Sequence, residues 1–252
     1  MANDSPTSPG LTSIAKKILM AVTGLLLCVF LVLHLLGNTL LLFGDVAFNN
    51  YAHLLMTWPP LVLAMELGLA AMFLIHAYQG ITVYLANKAA RPQGYEVRTA
   101  AKTKNTVSRK SASSTTMIWT GLVILVFLFA HVGHFKFNRF WQGPEYYTDL
   151  SGVALGLSGA TDTPQGARPP MRDLYRLVNE EFHKPVVVVL YLLCMVALGL
   201  HLNHAIFSAA QTLGANNRRY EKAIWFAGRA FTFVVAGGFL LLPILMFLRP
   251  AP

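Results

Sequence analysis

The sequence predicts an all-α integral membrane protein of five transmembrane helices. Three observations carry that expectation. Of the 252 residues, 55% are hydrophobic and only 12% are charged, against about 25% charged in a soluble domain. The apolar residues gather into five long runs, and the excess of basic over acidic residues between those runs falls on one side. A helix needs roughly 20 apolar residues to cross about 30 Å of hydrocarbon. The runs Ile18–Phe43, Leu61–Leu85, Met117–Phe135, Val186–Leu213 and Ile224–Leu248 each meet or approach that length. They use about half of the chain and leave only short connections between them, so residues 1–252 read as one membrane domain, with no separate soluble catalytic domain.

The first run follows a polar head containing Lys16 and Lys17. Its length, and the lack of a small-residue cleavage site directly after it, distinguish it from a secretory signal. The connection Gly44–Pro60 reads as a short loop and has no Lys or Arg. After the second run come Lys88, Arg91, Arg98, Lys102, Lys104, Arg109 and Lys110, against the single acidic Glu96. After the third run, residues 136–184 are mixed in charge. Their middle, Ser151–Pro170, is rich in Gly, Pro, Ser and Thr and reads as loop. Their end, Met171–Phe182, places Leu174, Leu177, Val178 and Phe182 at helical spacing, which predicts a short surface helix. Arg218, Arg219 and Lys222 separate the last two runs. The positive-inside rule then puts the N-terminus inside, residues 136–184 outside and the C-terminus outside. The net charge of +9 is thereby accounted for as topology, without a nucleic-acid partner. Cys28 and Cys194 lie inside apolar runs as small core residues. No Cys-x-x-Cys-His occurs, which excludes the usual covalent c-type haem attachment.

The chemistry rests on histidine. Of eight histidines, His34, His76, His131 and His201 fall one on each of the first four runs; His134 and His204 follow two of them at i+3, and His53 and His183 flank the outer segments. An ionisable side chain within a bilayer is costly and signals function. The first and third runs also resemble each other: VTGLLLCVFLVLHLLGN from Val22 aligns with WTGLVILVFLFAHVGHF from Trp119, matching Thr23 to Thr120, Gly24 to Gly121, Phe30 to Phe127 and His34 to His131. Helical rise puts His34 ~24 Å and His131 ~21 Å into outward-running spans, and His76 and His201 each ~22 Å into inward-running ones. The four therefore form two pairs at two depths, His34 with His131 in the outer half and His76 with His201 in the inner half. Opposed imidazoles suit a planar macrocycle between them, bound through Nε2 on each face. The expected architecture is thus a haem-binding bundle of four helices plus a fifth. Gly24, Gly68, Gly80, Gly121 and Gly199 are candidates for letting a flat cofactor approach the helices, or for ordinary close packing.

These residues resemble the five-helix dihaem cytochrome b membrane-anchor subunit of succinate dehydrogenase and fumarate reductase, over nearly the whole chain. The resemblance is carried by the Thr-Gly…Phe…His pattern, by FNNYAH from Phe48, by the spacing Glu66…His76, and by DLYRLVNEEFHKPVVVVLYLLCMVALGLHLNHAIFSAAQTLG from Asp173. Ala205 departs from it, since the family often has glycine after the second histidine of that run. The resemblance implies two haem b groups with His34 and His131 as axial iron ligands of the outer one and His76 and His201 of the inner one. It implies a flavoprotein subunit and an iron–sulfur subunit on the inner face, a quinone (menaquinone) as electron partner, surrounding lipid, and possible higher oligomers of the complex. It also implies residence in the cell's inner, cytoplasmic membrane.

A quinone needs an apolar slot and polar groups for its carbonyls. Tyr84, Asn87 and His204 offer these near the inner pair; Asn38, His53, Glu66 and His134 offer them near the outer pair. Glu66, ten residues before His76, lies ~15 Å nearer the outside. A carboxyl at that depth is expensive unless paired or protonated, so Glu66 with His134 is the preferred quinone and proton site. Arg109, Ser113 and Thr116 are candidates for the inner propionates. Two other readings compete. One is the cytochrome b subunit of a hydrogenase or formate dehydrogenase, in which one helix supplies ligands to both haems. The other is a transporter or proton channel with a histidine relay, which expects broken helices or inverted repeats; Pro243 is the single internal breaker.

Overall fold

The computed structural model describes residues 11–90, 112–137, 147–148, 171–215, 217 and 219–250. The basic connection from Arg91 to Lys110 with Arg109, the loop Ser151–Pro170 and Arg218 lie outside the described residues.

The described residues are almost wholly helical, and five helices are long and apolar enough to cross a membrane. Helix α1 (Ser13–Thr39) is capped by the Thr12 hydroxyl, which accepts from Ala15 N at 3.2 Å; it tightens into a 3₁₀ turn over Leu40–Phe43. Gly44, with φ +102°, supplies the left-handed turn into α2 (Asp45–Met56). Helix α3 (Pro59–Ala89) starts on proline, whose missing N–H costs nothing in a first turn. Then come α4 (Ala112–Phe135), an antiparallel bridge between β1 (Tyr147–Thr148) and β2 (Met171–Arg172), α5 (Leu174–Phe182), α6 (Pro185–Thr212) and α7 (Glu221–Phe247).

The long helices begin up to five residues before the apolar runs that predict them, because caps and first turns are polar or proline. The connection Gly44–Pro60 is the larger correction. It is not merely a loop but contains α2, which carries FNNYAH and buries Phe48 and Asn49. The predicted surface helix is α5, with Asp173 as its cap accepting from Arg176 N at 2.9 Å.

Helices α1, α3, α4 and α6 form a bundle in which α1 packs on α3 and α6, and α4 on α6, while α3 and α4 touch more sparsely. Helix α7 lies outside this ring against α6 and α1. Mid-bundle packing centres on Cys28, Met195, Leu198, Leu202 and Val235. A second core joins Leu41, Phe48, Val178, Phe182, Val187, Val188 and Met246, closing the end that carries α2 and α5. Asn49, 1% exposed, fastens that end: its Nδ2 donates to Asp173 Oδ1 at 2.8 Å and its Oδ1 accepts from Tyr175 N at 2.9 Å. Arg249 adds bonds to the Leu41 and Leu42 carbonyls and the Tyr175 hydroxyl. The opposite, outward faces are apolar and open, including Leu63, Leu67 and Leu74 on α3, Val126 and Phe129 on α4 and Phe233 on α7. Water would disfavour so large an apolar surface, whereas lipid accepts it.

Candidate functional site

The four span histidines meet across the bundle's two diagonals. His34 on α1 faces His131 on α4, with ring centroids 5.9 Å apart and planes at 88°. His76 on α3 faces His201 on α6 at 6.4 Å and 72°. The first pair sits toward the α2/α5 end and the second toward the other. Neither α1 and α4 nor α3 and α6 are in extensive backbone contact, so imidazoles rather than helix backbones meet along the axis. Eleven residues of α1 separate Thr23, beside His76, from His34, so the two pairs are ~16 Å apart along the helix.

The ring nitrogens are held unequally. His76 Nδ1 lies 3.0 Å from the Met20 carbonyl and 3.4 Å from Thr23 Oγ1. His201 Nδ1 lies 3.2 Å from Thr120 Oγ1. His131 Nδ1 meets the Tyr191 hydroxyl at 3.2 Å. His34 has only the Asn38 amide, 3.4 Å from each ring nitrogen, a length at the weak limit for such a bond. In three of the four, Nδ1 is engaged and Nε2 is left for another partner.

The internal sequence repeat has a structural expression. Phe30 stacks on His34 at 5.3 Å and Phe127 lies against His131 at 5.4 Å. Thr23 and Gly24 of α1 receive His76, while Thr120 and Gly121 of α4 receive His201. A Cβ on Gly24 would stand 2.9 Å from His76 Cε1, and one on Gly121 would stand 3.4 Å from His201 Cε1. These two glycines therefore make room for imidazole rings. The remaining three differ: Gly199 packs on Ala236 of α7, Gly80 approaches the Met20 sulfur, and Gly68 faces open space.

The candidate quinone groups are not brought together. Glu66 forms an ion pair with Lys136, both side chains more than a third exposed; the carboxyl is paired, by the first residue after α4. His134 turns elsewhere. It is 4% exposed, stacks on Phe135 at 4.4 Å, and places Nε2 3.2 Å from Glu181 Oε2. Glu181, 5% exposed, also accepts from Lys184 Nζ at 2.5 Å. His53, Tyr84 and Asn87 are exposed, and His204 is partly buried. Glu181 went unrecognised in the sequence because it sits in a mixed-charge segment, although its helical register with Val178 and Phe182 marks it as inward-facing. Thr23, Thr120 and Tyr191 were likewise missed as imidazole partners.

Among the described residues, no group of three or more His, Cys, Asp and Glu gathers to hold a metal ion; the span histidines come in twos. No family model, no curated protein and no solved structure matches the chain.

Proposed function

We propose that the chain is the dihaem cytochrome b membrane anchor of a succinate:quinone oxidoreductase. In this reading it relays electrons between an iron–sulfur subunit on the inner face and a quinone, probed first as menaquinone. The observation that carries the reading is the pair of diagonal imidazole contacts at two levels of one bundle. Two imidazoles bound through Nε2 to opposite faces of one iron have centroids about 6 Å apart, taking metal–nitrogen bonds of about 2 Å. The separations here are 5.9 and 6.4 Å. Two ligands suffice only if something else supplies the remaining positions, as a porphyrin does. His34 and His131 would hold the outer haem and His76 and His201 the inner one, each supplying a one-electron iron couple when bound.

The chain's own residues then have defined tasks. The Met20 carbonyl, Thr23, Thr120 and Tyr191 orient the ligand rings through Nδ1. Phe30 and Phe127 brace the outer pair. The apolar outer faces seat the bundle in lipid, with α2 and α5 outside and the basic connections inside, in the cell's inner membrane. Succinate oxidation requires the flavoprotein and iron–sulfur partners.

The competing architectures receive less support. Each described span is one continuous helix, where a transporter would be expected to break its helices at the midplane. Each helix gives one histidine to one pair, where a hydrogenase-type or formate dehydrogenase-type cytochrome would draw ligands for both haems from one helix.

Purification in mild detergent tests the proposal. The expected result is a low-spin b-type spectrum, two acid-extractable haems per chain, and co-purification of flavin- and iron–sulfur-containing partners. A colourless, self-sufficient chain would overturn it.

A further inference from the structure

We infer that Thr23 and Thr120 are paired positioning residues. They fix the hydrogen of His76 and His201 on Nδ1, present Nε2 as the lone-pair nitrogen, and strengthen this ligand pair as electron donors. The inference rests on the dihaem reading and concerns only how this chain holds its inner ligands.

The argument is a count of protons. Thr23 Oγ1 donates to its own helix, 2.7 Å from the Leu19 carbonyl and 3.2 Å from that of Met20. Thr120 Oγ1 does the same, 3.1 Å from both the Thr116 and Met117 carbonyls. A hydroxyl has one hydrogen and two lone pairs. With the hydrogen committed to a carbonyl, the oxygen can only accept from the imidazole beside it. His76 Nδ1 thus faces two acceptors, Thr23 Oγ1 and the Met20 carbonyl. His201 Nδ1 faces one such acceptor, Thr120 Oγ1, at 3.2 Å. A nitrogen that faces only acceptors must carry the hydrogen, and the other nitrogen then keeps its lone pair.

The two sites share one design. Threonine and glycine occupy equivalent positions of the two repeated helices, and each Thr-Gly step meets the histidine of the neighbouring antiparallel helix. At His76 glycine lets the ring approach the backbone closely enough to reach the Met20 carbonyl, and threonine supplies the second acceptor; at His201 threonine is the acceptor. A donated Nδ1–H raises the basicity of a metal-bound imidazole, which favours ferric over ferrous iron. The outer pair has no such step: Tyr191 can donate or accept, and the Asn38 amide lies equally far from both ring nitrogens of His34 and so does not select one.

The test uses the purified, haem-containing complex and potentiometric titration. Thr23→Val and Thr120→Val keep the branched shape and remove the oxygen. Each is expected to raise the ferrous-to-ferric ratio of the haem that His76→Ala depletes, several-fold at fixed potential; a tenfold change corresponds to 59 mV for one electron. The double variant should shift further, the Thr→Ser variants should titrate as the parent does, and the other haem should not move. Unmoved potentials, equal shifts in valine and serine variants, or a shift of the other haem would overturn the inference. Should a valine variant not accumulate, electron–nuclear double resonance of the ferric parent protein reads the exchangeable Nδ1 proton directly. Its absence from the inner-haem ligands overturns the inference too. A protein without haem bands overturns the dihaem reading and this inference with it, whereas normal bands with insensitive potentials overturn this inference alone.

Discussion

The two ends of the bundle hold similar imidazole pairs by different means. Toward the α2/α5 end, His34 and His131 are surrounded by rings: Phe30, Phe127, Phe135, Phe239 and Tyr191 lie within 6.0 Å of one or the other, centroid to centroid. Toward the opposite end, His76 and His201 are held by hydroxyls and carbonyls of the neighbouring helices. The first end is also braced from outside the membrane span by α2, α5 and the buried Glu181. Aromatic walls fix a ring's position but not which nitrogen carries its hydrogen. Polar partners fix both. One repeated sequence pattern thus serves both levels, its threonine and glycine acting on the His76–His201 pair and its phenylalanine and histidine on the His34–His131 pair.

The largest expected effect tests whether the two levels are independent. Under the dihaem proposal, His34→Ala and His131→Ala each remove the same one of the two haems, and His76→Ala and His201→Ala each remove the other. Haem content should halve in all four, and redox titration should show which component survives. Depletion of one titrating component by both His34→Ala and His76→Ala would break the diagonal pairing.

The next prediction concerns the bracing that only one end has. Glu181→Ala leaves the buried His134 ring and the Lys184 ammonium without their shared carboxylate. Loss of a hydrogen bond to a charged group costs about 1.5–3 kcal/mol. Lower thermal stability in detergent is expected, together with faster amide exchange in α5. Wild-type exchange in α5 would show that the end is held by its apolar core alone.

The pairing of histidines was legible in the sequence because depth along a helix follows from counting residues, and successive spans run in opposite directions. The number of spans was legible for the same reason, since a bilayer fixes a length. Partners set by rotation about the helix axis were not. Glu66 and His134 share a depth, yet Glu66 turns to Lys136 and His134 to Glu181. Helix α2 was hidden because Gly44–Pro60 is short and closed by Thr57, Trp58 and two prolines, and it gains its helicity from Phe48 and Asn49 packing on the outer core.

Glycine substitution compares the two inner ligands more finely. A Cβ at Gly24 would come within 2.9 Å of the His76 ring, closer than side chains tolerate, whereas one at Gly121 would sit 3.4 Å from the His201 ring, in ordinary contact. Under the dihaem proposal, Gly24→Ala should therefore shift the potential of the haem held by His76 and His201 and loosen its binding, and Gly121→Ala should do so less. Gly68→Ala meets nothing within 4 Å and is the control, with a helix-propensity gain of up to about 1 kcal/mol. Equal effects at Gly24 and Gly121 would place the His76 ring farther from α1 than described here.

The smallest expected effect on stability, and the sharpest on function, belongs to Glu66. Its ion pair with Lys136 is more than a third exposed on both sides, and such pairs contribute under about 1 kcal/mol. Glu66→Gln keeps the shape and one acceptor, so the variant should fold and, under the proposed function, hold both haems and accept electrons from succinate through its partners. Whether quinone turnover survives separates two roles. If the carboxylate exchanges protons with a quinone near the outer pair, turnover falls while haem reduction by succinate continues. If it serves only to anchor Lys136 at the end of α4, Lys136→Met reproduces whatever Glu66→Gln does. Full turnover in both variants would remove Glu66 from the quinone chemistry and leave the inner group of Tyr84, Asn87 and His204 as the place to look.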